Sequence, residues 1–150
     1  MLGTPEELPM KLEVVVIPVA DVDRALSFYK SLGWRLDTDL EAGPEFRAVQ
    51  FTPPGSECSI HFGRGVTSLA PGSVQGTYLV VSDINRSRAD LVSKGVEVSE
   101  VFHTRYDTGV PVRVDGYPAD GGSYAALATF SDPDGNGWLL QEVKERLPGR

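Results

Sequence analysis

Two histidines, His61 and His103, are the residues of this sequence best suited to bind a metal or to transfer a proton, and the chain contains no others. An imidazole titrates near neutral pH and, when neutral, offers a nitrogen to a divalent cation. Together with an acidic residue such as Glu57 or Asp107, the pair would hold a metal that leaves a position open for substrate. Alternatively, His61 alone would act as a general base in a dry pocket. Both enzyme hypotheses therefore stay open at this point.

Composition limits the other chemistry and the partners. Cys58 is the only cysteine, which excludes an intrachain disulfide and a cysteine-rich zinc site and indicates the reducing cytoplasm. We predict Cys58 to be a small buried hydrophobe. The formal net charge of −7 over 150 residues disfavours a nucleic-acid partner. No apolar run reaches the roughly 20 residues that span a bilayer, and the acidic N-terminus is unlike a signal peptide, so we expect no membrane partner.

A strand followed by a helix occurs twice along the chain, and these elements must position the candidate residues. Residues 11–21 form an apolar, β-branched run typical of a strand buried on both faces, and residues 76–83 repeat it. Asp21 and Asp83 are natural helix N-caps, and a glycine closes each following helix. The two caps are 62 positions apart (83 − 21), as are the two glycines (95 − 33), which indicates an internal duplication.

Each helix is followed by strands that end in a hairpin. Residues 46–51 lead through a Pro-Gly turn into 57–63, and residues 123–130 lead through "SDPDGN" into 137–143. The two turns are 80 positions apart (135 − 55), so the second half is longer by 18 residues (80 − 62) between its helix and its hairpin. We place the extra residues in 103–123, a segment rich in Gly, Pro and Asp that is predicted to be either a solvated loop or a flap over a pocket.

The duplicated β-α-β-β-β unit, with "PVADVDRALSFY" after its first strand and "FSDPDGNGWLLQE" at its end, resembles the vicinal oxygen chelate superfamily. This superfamily includes glyoxalase I, extradiol dioxygenases, fosfomycin-modifying enzymes and bleomycin resistance proteins; the chain is most similar to its glyoxalase-like bacterial members. The resemblance covers nearly all of 11–143. It implies an α+β fold in which two tandem βαβββ modules form curved mixed sheets around a cavity, with the helices packed outside.

The same resemblance implies the domain organisation and the partners. Residues 1–150 would form one domain, with module one at about 11–65, a linker at about 66–75 and module two at about 76–143. A small molecule would be the ligand, and many members of the superfamily are homodimers. The modules would pair either within one chain or across that dimer.

The resemblance also implies where a divalent metal would bind. In the superfamily the ligands stand on the first and last strands of each module, seven residues before the helix cap (21 − 7 and 83 − 7) and seven residues after the first Asp of the DPDG turn (132 + 7). With the 80-residue offset, these positions are Val14, Gly76, Leu139 and Ser59. None carries the expected histidine, glutamate or glutamine, so the sequence predicts no metal cofactor. A divalent metal held through His61 and His103 remains the alternative.

Strand alternation around these positions predicts the residues of the cavity. They are Val14, Val16, Glu57, Ser59, His61, Gly76, Tyr78, Leu139 and Gln141. This mostly apolar set with a few polar groups is typical of a small-molecule site, and the 80-residue offset makes His61 equivalent to Gln141. The segment 103–123 and its flank add His103, Tyr106, Tyr117 and Tyr124, which either contact a flat ligand or are simply exposed. Trp34 and Trp138 are predicted to fill the interface between helices and sheets.

Three functions are compatible with these residues. The first is a metal-free binding protein that encloses an apolar or aromatic small molecule, as the bleomycin resistance proteins do, and the substitutions at the four ligand positions favour it. The second is a metal-dependent lyase, isomerase or dioxygenase with displaced ligands. The third is a metal-independent enzyme in which His61 is the candidate catalytic base.

Overall fold

A computed structural model describes Gly3 and residues 5–150 as two mixed sheets and two helices, which confirms the α+β fold. Module one contains β1 (Val14–Val16), α1 (Val22–Ser31), β2 (Arg35–Glu41), β3 (Arg47–Thr52) and β4 (Ser59–Arg64). Module two contains β5 (Thr77–Val81), α2 (Ile84–Ser93), β6 (Phe102–Arg105), β7 (Val112–Asp115), β8 (Leu127–Ser131) and β9 (Gly137–Glu142). Within the part of the chain that the structure describes, no helix has the length and apolarity needed to cross a bilayer.

The two sheets repeat one topology. The strand order is β1-β4-β3-β2 in the first sheet and β5-β9-β8-β6-β7 in the second. In each module the first strand is parallel to the last one, and the other neighbours are antiparallel. The order makes β6 the counterpart of β2, so β7 is an additional edge strand in module two. Both sheets are open rather than closed into a barrel.

Both helices begin and end where the sequence predicts. The side chain of Asp21 accepts a hydrogen bond from the backbone N–H of Arg24 at 3.1 Å, and Asp83 accepts one from Arg86 at 3.0 Å. Each cap satisfies an N–H group that the first helical turn leaves without a partner. The glycines after the helices have φ angles of 84° and 85°, a conformation that favours glycine.

One strand prediction and one loop prediction differ from the structure. The strand expected at 11–21 is only three residues long, and Val14 is 37% exposed because β1 lies at the edge of its sheet with one face open. The segment 103–123 contains most of a hairpin rather than a continuous loop, since β6 pairs with β7. Its Gly and Pro residues lie in the connections, whereas Val112 and Val114 lie in β7.

The helix-bearing faces of both sheets share one aromatic core. The ring centroid of Tyr29 lies 5.2 Å from that of Trp34 and 6.1 Å from that of Trp138, and the centroids of the two tryptophan rings are 5.3 Å apart. The rings of Phe28 in α1 and Phe130 in β8 pack together with their centroids 6.5 Å apart. The predicted position of both tryptophans is confirmed. Because both modules direct these faces into the same core, the opposite faces of the two sheets point away from it.

A buried polar network joins the modules beside this core. The Tyr29 hydroxyl donates to Asp132 Oδ2 at 2.8 Å and accepts from Trp138 Nε1 at 3.1 Å. Asn136 Nδ2 donates to the same carboxylate oxygen and to the carbonyl of Pro18, both at 2.8 Å. Burial, followed by the neighbouring Asp132 carboxylate, raises the pKa of Tyr29 far above its usual range. The Tyr29 hydroxyl therefore remains protonated at neutral pH and donates this hydrogen bond.

Tyr29→Phe is expected to lower the free energy of unfolding by about 1–2 kcal/mol, because the buried groups of Asp132 and Trp138 lose a hydrogen-bond partner. Urea unfolding followed by tryptophan fluorescence measures this change. The matched control is Tyr106→Phe, whose ring is 69% exposed and whose unfolding curve should not move. Equal stability of the two variants would show that the network does not hold the modules together.

Candidate functional site

The first sheet presents an open face on the side away from the core. β1 and β4 pair in parallel, with Val14 beside Ser59 and Val16 beside His61. Residues paired in this way point to the same side of the sheet, so these four side chains share one surface. We call them the first open face. The predicted cavity residue Glu57 lies before β4, outside the strands, and is exposed.

A chain of hydrogen bonds immobilises Ser59 on this face. Its hydroxyl lies 2.7 Å from the hydroxyl of Thr52, which in turn donates to the carboxylate of Asp37. Hydrogen bonds from Arg35 and then Thr52 lower the pKa of Asp37, so this carboxylate stays charged at neutral pH. Ser59 is only 4% exposed. Its hydroxyl is therefore engaged in the structure, and His61 is the more accessible polar residue of the face.

The second sheet presents a more apolar open face. β5 and β9 pair with Tyr78 beside Leu139 and Val80 beside Gln141, and we call these four residues the second open face. Tyr78 is 52% exposed and Val80 is 46% exposed. Gln141 Nε2 donates to the carbonyl of Tyr124 at 3.0 Å, which occupies its amide nitrogen. Gly76, the remaining predicted residue, immediately precedes β5.

The second open face continues across the sheet. Gln141 pairs with Leu127 of β8, and Leu127 pairs with Phe102 of β6. Val80, Gln141, Leu127 and Phe102 therefore form one row across four strands. The guanidinium of Arg113, on the additional strand β7, lies 3.9 Å above the Phe102 ring. An apolar row ending in a planar cation can accept a flat ligand and distinguish its two ends.

The pairing register corrects the equivalence predicted between His61 and Gln141. His61 pairs with Val16, and Leu139 pairs with Tyr78. Val16 and Tyr78 are 62 positions apart (78 − 16), as are the helix caps, so they are equivalent. His61 is thus the counterpart of Leu139, and the offset between the last strands is 78 (139 − 61). The 80-residue offset of the turns does not extend into these strands because the two hairpins differ in length.

The side chains at these positions do not fit the metal that the resemblance implies. Val14, Gly76 and Leu139 offer no donor, which leaves His61 as a single imidazole. His103 lies in β6 of the other sheet, where its Nδ1 is 2.8 Å from a backbone carbonyl. Within Gly3 and residues 5–150, no group of three or more His, Cys, Asp or Glu side chains is placed to hold a metal ion. No catalytic step through a metal follows from this geometry.

The tyrosines predicted near the site have different environments. Tyr106 is exposed in the connection between β6 and β7. Tyr117 packs against the core, and its hydroxyl donates to Glu142. Tyr124 has a φ of 73°, and its hydroxyl accepts from the backbone N–H of Leu147 at 3.2 Å. Tyr106 is therefore the one tyrosine of this group whose ring is largely free, and Tyr117 has a structural role.

Glu142 is a structural residue whose role sequence reasoning missed. It is 2% exposed on the core side of β9, and its Oε2 accepts from the backbone N–H of Ile84 at 3.0 Å. The carboxylate thus joins the start of α2 to β9 and also accepts from Tyr117. Alternation along β9 places the side chains of Glu142 and Leu139 on opposite faces of the sheet. No sequence signal, however, indicates the hydrogen-bond partners of Glu142.

Cys58 and Asp107 do not take part in either open face. Cys58 is half-buried, and burial followed by the nearby charge of Glu13 raises the pKa of its thiol, so the less reactive protonated form predominates. Asp107 is exposed and pairs with Arg105 at 2.8 Å. The acidic residues suggested as metal ligands, Glu57 and Asp107, therefore lie outside the strand pairs that carry the open faces.

A cleft of about 520 Å³ lies between the modules, away from the predicted cavity residues. Module one contributes Leu32, Trp34 and the turn at Pro53 and Pro54, and module two contributes β5 and α2. We call this space the inter-module cleft. None of the predicted cavity residues lines it.

Comparisons with known proteins agree with this architecture. A family model described as the Glyoxalase/Bleomycin resistance protein/Dioxygenase superfamily matches residues 11–140. A search of curated protein sequences finds no match. Among solved structures, the chain is similar to TnmS3, an antibiotic binding protein from Streptomyces sp. CB03234, with 26% identity and a TM-score of 0.68 over 92% of this chain and 99% of that chain.

Two further solved structures show the same similarity. One is a glyoxalase/bleomycin resistance protein from Streptomyces sp. CB03234, with 27% identity and a TM-score of 0.64 over 88% of this chain and 100% of that chain. The other is a superfamily member from Sphaerobacter thermophilus DSM 20745, with 26% identity and a TM-score of 0.67 over 89% of this chain and 98% of that chain.

Proposed function

Because the chain belongs to the glyoxalase/bleomycin resistance protein/dioxygenase superfamily, we propose that it binds a small apolar or aromatic molecule without the help of a metal. The observation that carries the proposal is the exposed apolar surface of the second open face. Tyr78 and Val80 are about half exposed, and Leu139 stands beside them where the superfamily places a metal-binding glutamate. A contiguous apolar surface rimmed by polar groups is typical of a ligand site. The similarity to an antibiotic binding protein supports the same class of function.

The polar groups on the two faces suggest how the ligand is oriented. Gln141 keeps its carbonyl oxygen available, because the partner of its amide nitrogen is the Tyr124 carbonyl. His61 supplies an imidazole to the first open face, and Arg113 supplies a cation beside Phe102 on the second. A flat ligand would gain most of its affinity from apolar contact and its orientation from these few groups.

A second copy of the chain is part of the proposal. The open faces of one chain both point away from its shared core, so one chain does not enclose a ligand between them. A partner protomer would cover the second open face with its own first open face, where Val14 is 37% exposed. The dimer would thus complete two equivalent cavities, each lined by both protomers.

Sedimentation velocity is expected to give a species of about twice the 16.2 kDa chain mass. Val14→Lys places an ammonium group on the first open face, and we expect it to shift the protein toward monomer because a buried charge is costly. Val92→Lys is the control, since Val92 is 47% exposed on α2, away from both faces. A wild-type protein that remains monomeric at concentrations well above those used for ligand binding would contradict the dimer.

Nile red, a neutral aromatic dye, is expected to bind the wild-type protein with a blue-shifted emission. Tyr78→Lys should weaken this binding by about tenfold or more, because the ammonium would have to be desolvated against an apolar ligand. Val92→Lys introduces the same group at a site of similar exposure and should bind as the wild type does. His61→Ala should change the affinity by less than about tenfold. Equal binding by Tyr78→Lys and Val92→Lys would contradict the proposal.

Metal analysis tests the metal-free part of the proposal. Protein purified without a histidine tag should contain less than stoichiometric metal by plasma mass spectrometry, both before and after incubation with Zn²⁺, Ni²⁺, Fe²⁺ and Mn²⁺. The expectation follows from the absence of donors at Val14, Gly76 and Leu139. Stoichiometric metal that disappears in His61→Ala would instead indicate a metalloenzyme with an unusual ligand set, and its loss in His103→Ala as well would indicate that both histidines are ligands.

A further inference from the structure

The duplicated halves contain two joints between a hairpin turn and a helix start, and one of these joints is filled by a carboxylate. At the first joint, Asp134 of the β8–β9 turn lies against the start of α1. Its Oδ1 accepts from the backbone N–H of Ala20 at 3.0 Å and from Arg24 Nη2 at 2.9 Å. The Asp134 side chain is 3% exposed. A carboxylate therefore occupies this joint beside a helix whose N-cap is itself an aspartate.

The second joint has the same basic groups but lacks the carboxylate. Ser82 and Arg86 are the counterparts of Ala20 and Arg24 at the 62-residue offset (82 − 20 and 86 − 24). The facing turn, closed by Ser56 N–H donating to the Pro53 carbonyl at 3.1 Å, carries proline and glycine instead of aspartate. Among the residues that the structure describes, the Ser82 N–H has no hydrogen-bond partner and the Arg86 guanidinium has no acidic partner.

The inter-module cleft occupies this second joint. Its volume of about 520 Å³ is within the range of small-molecule sites. The floor is apolar and consists of Leu32, Trp34, Leu79, Leu91, Phe130 and Leu140. Leu91 is the counterpart of Tyr29 (91 − 29 = 62), so the hydroxyl that binds Asp132 at the first joint is replaced by an aliphatic side chain.

Four charged side chains line the cleft, and within the described part of the chain Arg86 is the one cation of the four without an acidic partner. Asp83 caps α2 through the Arg86 N–H, whereas Asp90 pairs with Lys94 Nζ at 2.9 Å. Lys94 Nζ also donates to the Leu32 carbonyl at 3.2 Å. The acidic cap does not exclude an anion here, because Asp134 binds next to the equivalent cap Asp21 at the first joint.

We infer that the inter-module cleft is a second binding site, for a small amphipathic monocarboxylate. The apolar body of the ligand lies on the floor beside Trp34. Its carboxylate accepts hydrogen bonds from the Arg86 guanidinium and the Ser82 N–H, as Asp134 does from Arg24 and Ala20. The site is independent of the function proposed for the open faces, since none of the eight open-face side chains except Val80 lines the cleft.

Binding of 2-naphthoate and of its neutral analogue 2-naphthamide to the full chain tests the site. Isothermal titration should show that naphthoate binds at least about tenfold more tightly than naphthamide. Arg86→Gln should abolish this difference without changing naphthamide affinity. The matched control is Arg64→Gln, which removes a guanidinium that pairs with Glu41 outside the cleft and both open faces, and it should preserve the difference. In ¹H–¹⁵N spectra, naphthoate should shift the Ser82 amide and the Trp34 indole N–H.

A second variant tests the symmetry argument directly. Pro54, like Asp134, immediately precedes a glycine of positive φ, so Pro54→Asp places a carboxylate in the cleft that Arg86 also lines. This internal competitor should weaken naphthoate binding, and Pro54→Asn should weaken it less. The inference is overturned if naphthoate does not bind, if Arg86→Gln binds it as the wild type does, or if it shifts Tyr78 and Gln141 instead. Nile red binding in Arg86→Gln reports separately on the open faces and should be unchanged.

Discussion

The buried contact between Asp132 and Tyr29 is the interaction on which the rest of the structure depends. It connects the last hairpin of module two to the helix of module one, and Asn136 extends the connection to Pro18. A carboxyl group at this depth is tolerated because several hydrogen-bond donors surround it. The contact holds both helix-bearing faces on a common core, and it thereby directs both open faces outward. In the proposed function, this outward orientation is the reason why a second protomer would be needed to enclose a ligand.

The two halves also differ where each hairpin meets the helix of the other module. The hairpin of module two fits against α1 with aspartates and an asparagine, so this joint is closed and polar. The hairpin of module one offers Pro53 and Pro54 to α2, and a cleft with an apolar floor remains. Duplication thus allows one joint to retain the structural role while the other is free to accept a ligand.

The elements that the sequence predicts well are those set by local contacts. The caps Asp21 and Asp83 act within their own helices, and the duplication can therefore be read from their spacing. The sequence also predicts correctly that Trp34 and Trp138 are buried between helices and sheets, because a small domain has few other places that can bury a large ring.

What the sequence does not predict depends on contacts between distant segments. The equivalence of His61 and Leu139 is set by strand pairing, and a small difference in hairpin length is enough to displace it by two residues. The two hydrogen-bond partners of the Glu142 carboxylate, Ile84 and Tyr117, lie far from it and from each other in the sequence, so neither periodicity nor spacing indicates them. The site is therefore predicted less completely than the fold: its apolar character follows from alternation, whereas the row that ends at Phe102 required the pairing of β6.

The additional strand β7 has a consequence for the behaviour of the protein in concentrated solution. As an edge strand it presents backbone N–H and C=O groups that another chain could pair with, which is a common origin of aggregation. β7 is only four residues long, and Arg113 and Asp115 alternate with its valines and lie 3.5 Å from each other. Short length and alternating charge make such an edge a poor template for a further strand. The insertion in module two therefore enlarges the sheet without creating an edge that readily pairs with a strand of another chain.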